Sequence, residues 1–176
     1  MKNYRIKIFN EFSDELKIIW SNLQKDGDCY LFQTYEWQEY WFSAVGTTLN
    51  LKPLIVCVYD SSKLIAIFPL GLKSLYGIKI IEFLGGGQSD YNNPIFSDKV
   101  QLGSIKELWN EILAELPKYD VIYLSRIPEK LADSRNPFMK TAPFKVAGSS
   151  YYSKLPDSLS KMPEIISKRT LKDNRR

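Results

Sequence analysis

The stretch LIVCVYDSSKLIAIFPL, Leu54 to Leu70, sets the fold class. Two apolar runs, Leu54 to Tyr59 and Leu64 to Leu70, are separated only by DSSK, Asp60 to Lys63. Short apolar runs joined by a polar turn predict a β-hairpin whose strands are both largely buried. Such a hairpin belongs at the centre of a twisted, mostly antiparallel sheet.

Outward from the hairpin the pattern alternates between the two periods. Tyr4 to Phe9 reads as a short strand, apolar at Tyr4, Ile6 and Ile8 and basic at Arg5 and Lys7. A helix follows: Ser13 caps it, Asp14 and Glu15 suit its first turn, and Leu16, Ile19, Trp20 and Leu23 share one face. A second helix begins at a Thr34 cap, with an expected apolar stripe of Trp37, Tyr40, Trp41 and Ala44 and an end at Gly46. Beyond the hairpin, Ile78 to Leu84 is another strand. Ser104 and Glu107 make a capping box for a third helix, which Pro117 stops. Val121 to Leu124 is expected as a short buried strand, 128–143 as loop, and Phe144 to Leu155 as the place for one more strand. From Pro163 the chain reads as helix to Arg176 with no terminating glycine or cap. The fold class is therefore mixed α/β (α+β): a twisted, mostly antiparallel mixed sheet flanked by helices. It is not the strict βαβ alternation of a doubly wound sheet.

Composition excludes several functions. Of 176 residues, 44% are hydrophobic and 14% aromatic, enough for a packed core. The net charge of +4 lies in the last nine residues, KRTLKDNRR, so no basic face spread over a fold points to nucleic acid. Without histidine there is no Ser-His-Asp or Cys-His chemistry. Two isolated cysteines, Cys29 and Cys57, offer neither a disulfide framework nor a zinc motif, so no metal is expected. The longest uncharged apolar run, Leu64 to Leu72, is half of the roughly 20 residues of a membrane span. The N-terminus MKNYRIKIFNEF has no apolar signal region. A soluble, cytoplasmic protein is expected.

The chemistry concentrates in FLGGGQSDYNNPIF, Phe83 to Phe96. It is not a phosphate cradle: no GK[ST] follows the glycines, and the next helix cap, Ser104, is 17 residues beyond Gly87. Two readings stay open. In one, Asp90 and Tyr91 act as base and acid, Gln88 and Ser89 hold substrate, and Arg126, just past the strand Val121 to Leu124, holds an anionic group. In the other, Asp90, Asn92 and Asn93 make turns and the glycines supply positive φ. The aromatic group Tyr35, Trp37, Tyr40, Trp41 and Phe42 reads as core, with a sugar-stacking platform as the alternative.

Four segments together resemble the cellulose-biosynthesis acetyltransferase family often labelled CelD/BcsL: FQTYEWQEYWFSAVG, LIVCVYDSSKLIAIFPLGL, IIEFLGGGQSDYNNPIF and YDVIYLSRIPE. That family looks like the GNAT superfamily and is related to the FemAB-like aminoacyltransferases. The matching residues are Phe32, Gln33 and Trp37; Pro69 and Leu70; Phe83 to Gly87 with Ser89, Asp90 and Tyr91; and Arg126, Pro128 and Glu129. The resemblance implies a GNAT-like N-terminal lobe over residues 1–160. It makes 161–176 the start of a basic helix leading to a second lobe that this chain lacks. It also implies acyl transfer from acyl-CoA to a hydroxyl or amine of a glycan or envelope precursor, with the donor site in that second lobe. No cofactor is then expected in this lobe. The alternatives are a non-catalytic module that binds acceptor or steadies its partner lobe, and a small acyltransferase completed by homodimerisation.

Overall fold

A computed structural model describes residues 4–27, 29–97, 105–131, 134–149 and 156–161. The chain divides after Phe144 into two compact units. Among the described residues, the first holds every strand and α-helix, and the second holds a 3-10 turn, Leu159–Lys161. The Ser104 cap, residues 150–155 of the expected last strand and the basic helix from Pro163 lie outside the described residues. Residues 144–149 form no strand.

The first unit begins with β1 (Tyr4–Phe9), α1 (Asp14–Asp26) and α2 (Tyr35–Trp41), the last extended by a π-helical turn at Phe42–Gly46. Then come the hairpin strands β2 (Lys52–Asp60) and β3 (Lys63–Leu75), followed by β4 (Ile78–Phe83) and the two-residue β5 (Ile95–Phe96). Helix α3 (Ile105–Glu115) and the short β6 (Val121–Ile122) complete the sheet. Its order is β1-β2-β3-β4-β6, antiparallel throughout except for the parallel β4–β6 pair. The hairpin of β2 and β3 is central, as expected. Successive β2 residues face opposite sides. Leu54, Val56 and Val58 join the core with Leu108, Trp109 and Ile112 of α3. Ile55, Cys57 and Tyr59 pack with Leu16, Trp20, Tyr35 and Trp41 of α1 and α2. Helices thus lie on both faces of the sheet.

Local signals explain most of the boundaries. Ser13 Oγ accepts from Leu16 N (3.3 Å) and Thr34 Oγ1 from Trp37 N (3.3 Å), so both expected caps form. Between β3 and β4 the turn residues Tyr76 (φ 51°) and Gly77 (φ 83°) are both left-handed, the conformation that matches strand twist in a two-residue hairpin.

The third strand has two partners on one edge. β4 pairs with Leu70 to Leu75 and β5 with Ala66 and Ile67. Leu84 N still bonds to Pro69 O (2.9 Å), and the chain then leaves β3, to return at Ile95 opposite Ile67. β4 and β5 are the two ends of one interrupted strand, and residues 85–94 are an excursion from it. Proline tolerates this place because the edge it faces is already broken.

Three expectations change. On α2 the buried face is Tyr35, Gln38 and Trp41, whereas Tyr40 is 72% exposed and Ala44 is exposed too; at about 100° per residue Tyr40 lies on the side of the helix opposite Gln38. β6 is an edge strand with Val121 exposed, not a buried one. The loop-like 128–143 folds into a small hairpin, β7 (Lys130–Leu131) with β8 (Ser134–Arg135), and a 3-10 turn at Pro137–Lys140. That turn delivers Phe138, fully buried, against Trp109 (ring centroids 5.1 Å), Phe68 (5.8 Å) and Phe83 (6.3 Å). Replacing a ring so enclosed leaves a cavity. Phe138→Ala is expected to lower unfolding free energy by about 3–5 kcal/mol, read as a drop in the urea midpoint at unchanged slope.

Candidate functional site

The excursion 85–94 carries the polar cluster, and its buried groups need partners because it runs beneath other parts of the chain. Gly85 (φ 96°) and Gly86 (φ 48°) start it in left-handed geometry, and a Cβ on Gly85 would fall 2.1 Å from Ser89 Oγ. The amides of Gln88 and Ser89 both turn back to Gly85 O (3.2 Å each). Two of the N–H groups that an anion would want are therefore already used within the turn.

Helix α2 docks the loop from one side. Trp37 and Trp41 are one turn apart, and both indole N–H groups point at it. Trp37 Nε1 donates to Ser89 Oγ (3.0 Å) and Trp41 Nε1 to Gln88 Oε1 (3.0 Å). Gln33, in the 3-10 turn Leu31–Gln33, is 2% exposed. Its Nε2 donates to Tyr91 O (2.5 Å), its Oε1 accepts from Tyr30 N (3.1 Å), and its carbonyl accepts from Trp20 Nε1 (2.9 Å). Gln38 holds the Phe32 carbonyl through Nε2 (2.6 Å), while its Oε1 meets no donor among the described residues.

The segment after β6 docks it from the other side. Arg126 Nη1 donates to Gly87 O (3.0 Å) and Ser89 O (2.9 Å). Its backbone is left-handed (φ 61°), and its carbonyl accepts from Asn92 N (2.9 Å). Asn92 Nδ2 reaches Ser125 O (3.4 Å). Asn136 Nδ2 bridges Asn93 Oδ1 (2.7 Å) and Pro128 O (2.8 Å), and its Oδ1 accepts from Phe138 N (3.0 Å).

Of the five residues singled out in the sequence, all lie on or against this one loop. Ser89 is fully buried and bound on both its hydroxyl and its carbonyl; Gln88 is exposed and holds Trp41. Asp90 differs: its side chain is 77% exposed, and among the described residues its carboxylate meets only Arg126, at 3.9 Å. So exposed an ion pair contributes at most about 1 kcal/mol. The Tyr91 ring lies half-buried beside Tyr30 (5.4 Å) and Phe32 (6.3 Å), and Phe32 abuts Trp37 (5.1 Å). The loop thus presents one open carboxylate beside one guanidinium and a group of aromatic rings. That set can accept hydrogen bonds from hydroxyls or ammonium groups and cover an apolar ring face. Sequence reasoning took Trp37 and Trp41 for core, which Trp41 is, without foreseeing that either indole N–H would hold the loop, and it assigned no role to Asn136 or Tyr30. Their signal was weak, since an aromatic pair at helical spacing reads the same whether or not its N–H groups are used.

Other chemistry is limited. Among the described residues no group of three or more Cys, Asp and Glu is placed to hold a metal ion, and no helix is long and apolar enough to cross a membrane. Burial pushes the Cys57 thiol up to about 12, and burial with the nearby Glu36 carboxylate pushes Cys29 up to about 11. Neither is a thiolate near neutrality, so neither suits a nucleophile. No family model, curated protein or solved structure matches the chain. What the fold and loop define is an α+β domain with a mostly antiparallel sheet flanked by helices and a rigidly held polar excursion.

Two outcomes follow. Arg126→Ala removes a charged donor from two carbonyls, so stability should fall by about 1–3 kcal/mol. Arg126→Lys should recover part of it, as thermal unfolding will show. For Cys57, the folded thiol pKa lies above the unfolded one, so the native state holds the proton longer. Its stabilising effect is whole below pH 9, the unfolded value, and is lost as pH rises towards about 12. Unfolding free energy should fall in that window by up to about 1.4 kcal/mol per pH unit from this group. Denaturant titrations at pH 8, 9, 10 and 11 should give a shallower slope for Cys57→Val.

Proposed function

We propose that this chain is the N-terminal, GNAT-like lobe of an acyltransferase, and that its Gly85–Pro94 excursion binds the acceptor, a glycan or cell-envelope precursor. One observation carries the proposal. The segments whose order resembles the CelD/BcsL family are far apart in sequence, yet Gln33, Trp37, Gln88, Ser89, Tyr91 and Arg126 meet in one hydrogen-bond network. That network leaves free the groups an acceptor would need. Asp90 accepts from, or removes a proton from, an acceptor hydroxyl or amine. Tyr91, Tyr30 and Phe32 supply ring faces for a sugar, and Arg126 steadies both the loop and an anionic substituent. Fixing these groups beforehand lowers the entropic cost of placing the acceptor for attack on a thioester carbonyl. The mixed sheet flanked by helices also supports the proposal.

The donor, acyl-CoA, is assigned to a second lobe. A pyrophosphate wants several convergent N–H groups, best supplied by a helix start. Here the glycines lead into a 3-10 turn, Gly86–Gln88, with its amides folded back on Gly85.

The test pairs two titrations. Saturation-transfer NMR with neutral β-linked oligosaccharides should show contact with the chain, weakened at least tenfold by Asp90→Asn and by Tyr91→Ala. Calorimetry with acetyl-CoA at about 0.15 M salt should show no salt-resistant binding. Micromolar affinity for acetyl-CoA that survives removal of residues 168–176 would move the donor site into this lobe. Absence of any oligosaccharide contact would remove the glycan acceptor.

A further inference from the structure

One part of the sheet is bare. Paired residues on neighbouring strands point the same way, and alternate residues along a strand share a face. By register, Lys73 and Leu75 of β3, Ile78, Ile80 and Glu82 of β4, and Val121 of β6 with Tyr123 beyond it lie on the side that α1 and α2 cover elsewhere. Most of the apolar members of this set are open to solvent. Leu75 is 50% exposed, Ile78 47%, Val121 45% and Tyr123 62%, and β6 ends the sheet with its outer edge unpaired among the described residues. The opposite side of the same strands is packed: Leu72, Ile81, Ile122 and Leu124 belong to the core under α3. A contiguous apolar face of this kind marks an interaction surface.

Its charges indicate what covers it. Lys73 Nζ and Glu82 Oε2 lie 2.5 Å apart within the face, with side chains only 27% and 14% exposed. The pair is neutral overall, yet each member has used one bond where an ammonium offers three and a carboxylate accepts several. Closing an ordinary apolar surface over it would strip the remaining water without return, which is costly. A second copy of the same face returns it. With a two-fold axis in the contact plane between the two groups, each Lys73 ammonium meets the Glu82 carboxylate of the other copy, and the isoleucines, Val121 and Tyr123 close around the four charges. A face that carries both signs side by side is complementary to itself, as a two-fold interface requires.

We propose that this chain self-associates through the β3–β4–β6 face, as a two-fold pair whose centre is the Lys73–Glu82 couple. The chain runs three residues from Tyr123 to Arg126, so the second copy docks next to the Asp90 loop rather than at a remote surface. The apolar surround of the couple is small, which places the pair among weak, concentration-dependent associations.

Sedimentation equilibrium of the full chain up to about 0.5 mM, a concentration that populates even weak pairs, is the measurement. A monomer–dimer equilibrium is expected, with the association constant falling at least tenfold for Val121→Lys and for Ile78→Glu while circular dichroism stays native. The couple has its own test. Lys73→Glu alone and Glu82→Lys alone should each be monomeric, because like charges then face each other, whereas an equimolar mixture of the two should associate. A wild-type chain that stays monomeric at the highest concentration overturns the proposal, and so does a dimer indifferent to these substitutions. A mixture no more associated than its components excludes the charge pairing between copies.

Discussion

Pro69 has no N–H to give, and at Pro69 the partner strand leaves β3. The rest of the site follows from that break. β3 is the longest strand and holds β2 along one edge with β4 and then β5 along the other. Both ends of the excursion 85–94 are therefore pinned to the buried middle of β3, Ile65 to Gly71. A loop held so close to the core cannot leave its polar groups to water, so Ser89, Asn92 and Asn93, all under 5% exposed, must find partners in the protein.

Those partners come from both directions along the chain. Trp37 and Trp41 precede the loop by about fifty residues, and Arg126 and Asn136 follow it by about forty, separations the hydrogen bonds themselves span. The network is not a set of local turns, although the left-handed Gly85 and Gly86 show that turn geometry is part of it. Its energetic weight lies in the cost of leaving any member unpaired rather than in the gain from each bond. The same logic separates Asp90 from its neighbours. Its carboxylate is the one acidic group on the loop, and it is solvated rather than consumed. Structural and functional accounts of the loop therefore divide by residue: Gln88, Ser89, Asn92 and Asn93 hold it, and Asp90 with the Tyr91 ring is what it shows.

Apolar surface is distributed unevenly about this framework. Both faces of β2 are closed, and Phe138 comes from a short irregular segment to complete the α3 side. On the α1 and α2 side, the ends of β3 and β4 and the edge strand β6 leave apolar residues exposed. The exposed Leu75, Ile78, Val121 and Tyr123 are therefore grouped by the sheet, not scattered as isolated surface residues.

Periodicity by itself determined the order of the main elements, the central hairpin and the Ser13 and Thr34 helix caps, because those depend on neighbours within a few residues. Cys57 was legible as a core residue for the same reason. The gathering of Gln88, Ser89, Asp90, Tyr91 and Arg126 was legible as a list but not as a geometry. Only tertiary structure decided that Trp37 and Trp41 would spend their N–H groups on the loop, that Phe138 would be core, and that Val121 would lie on an open edge. Each of these depends on what is adjacent in space across dozens of residues. A hydrogen bond of 3.0 Å from an indole to a serine fifty-two positions away leaves no local periodic trace in the chain that makes it.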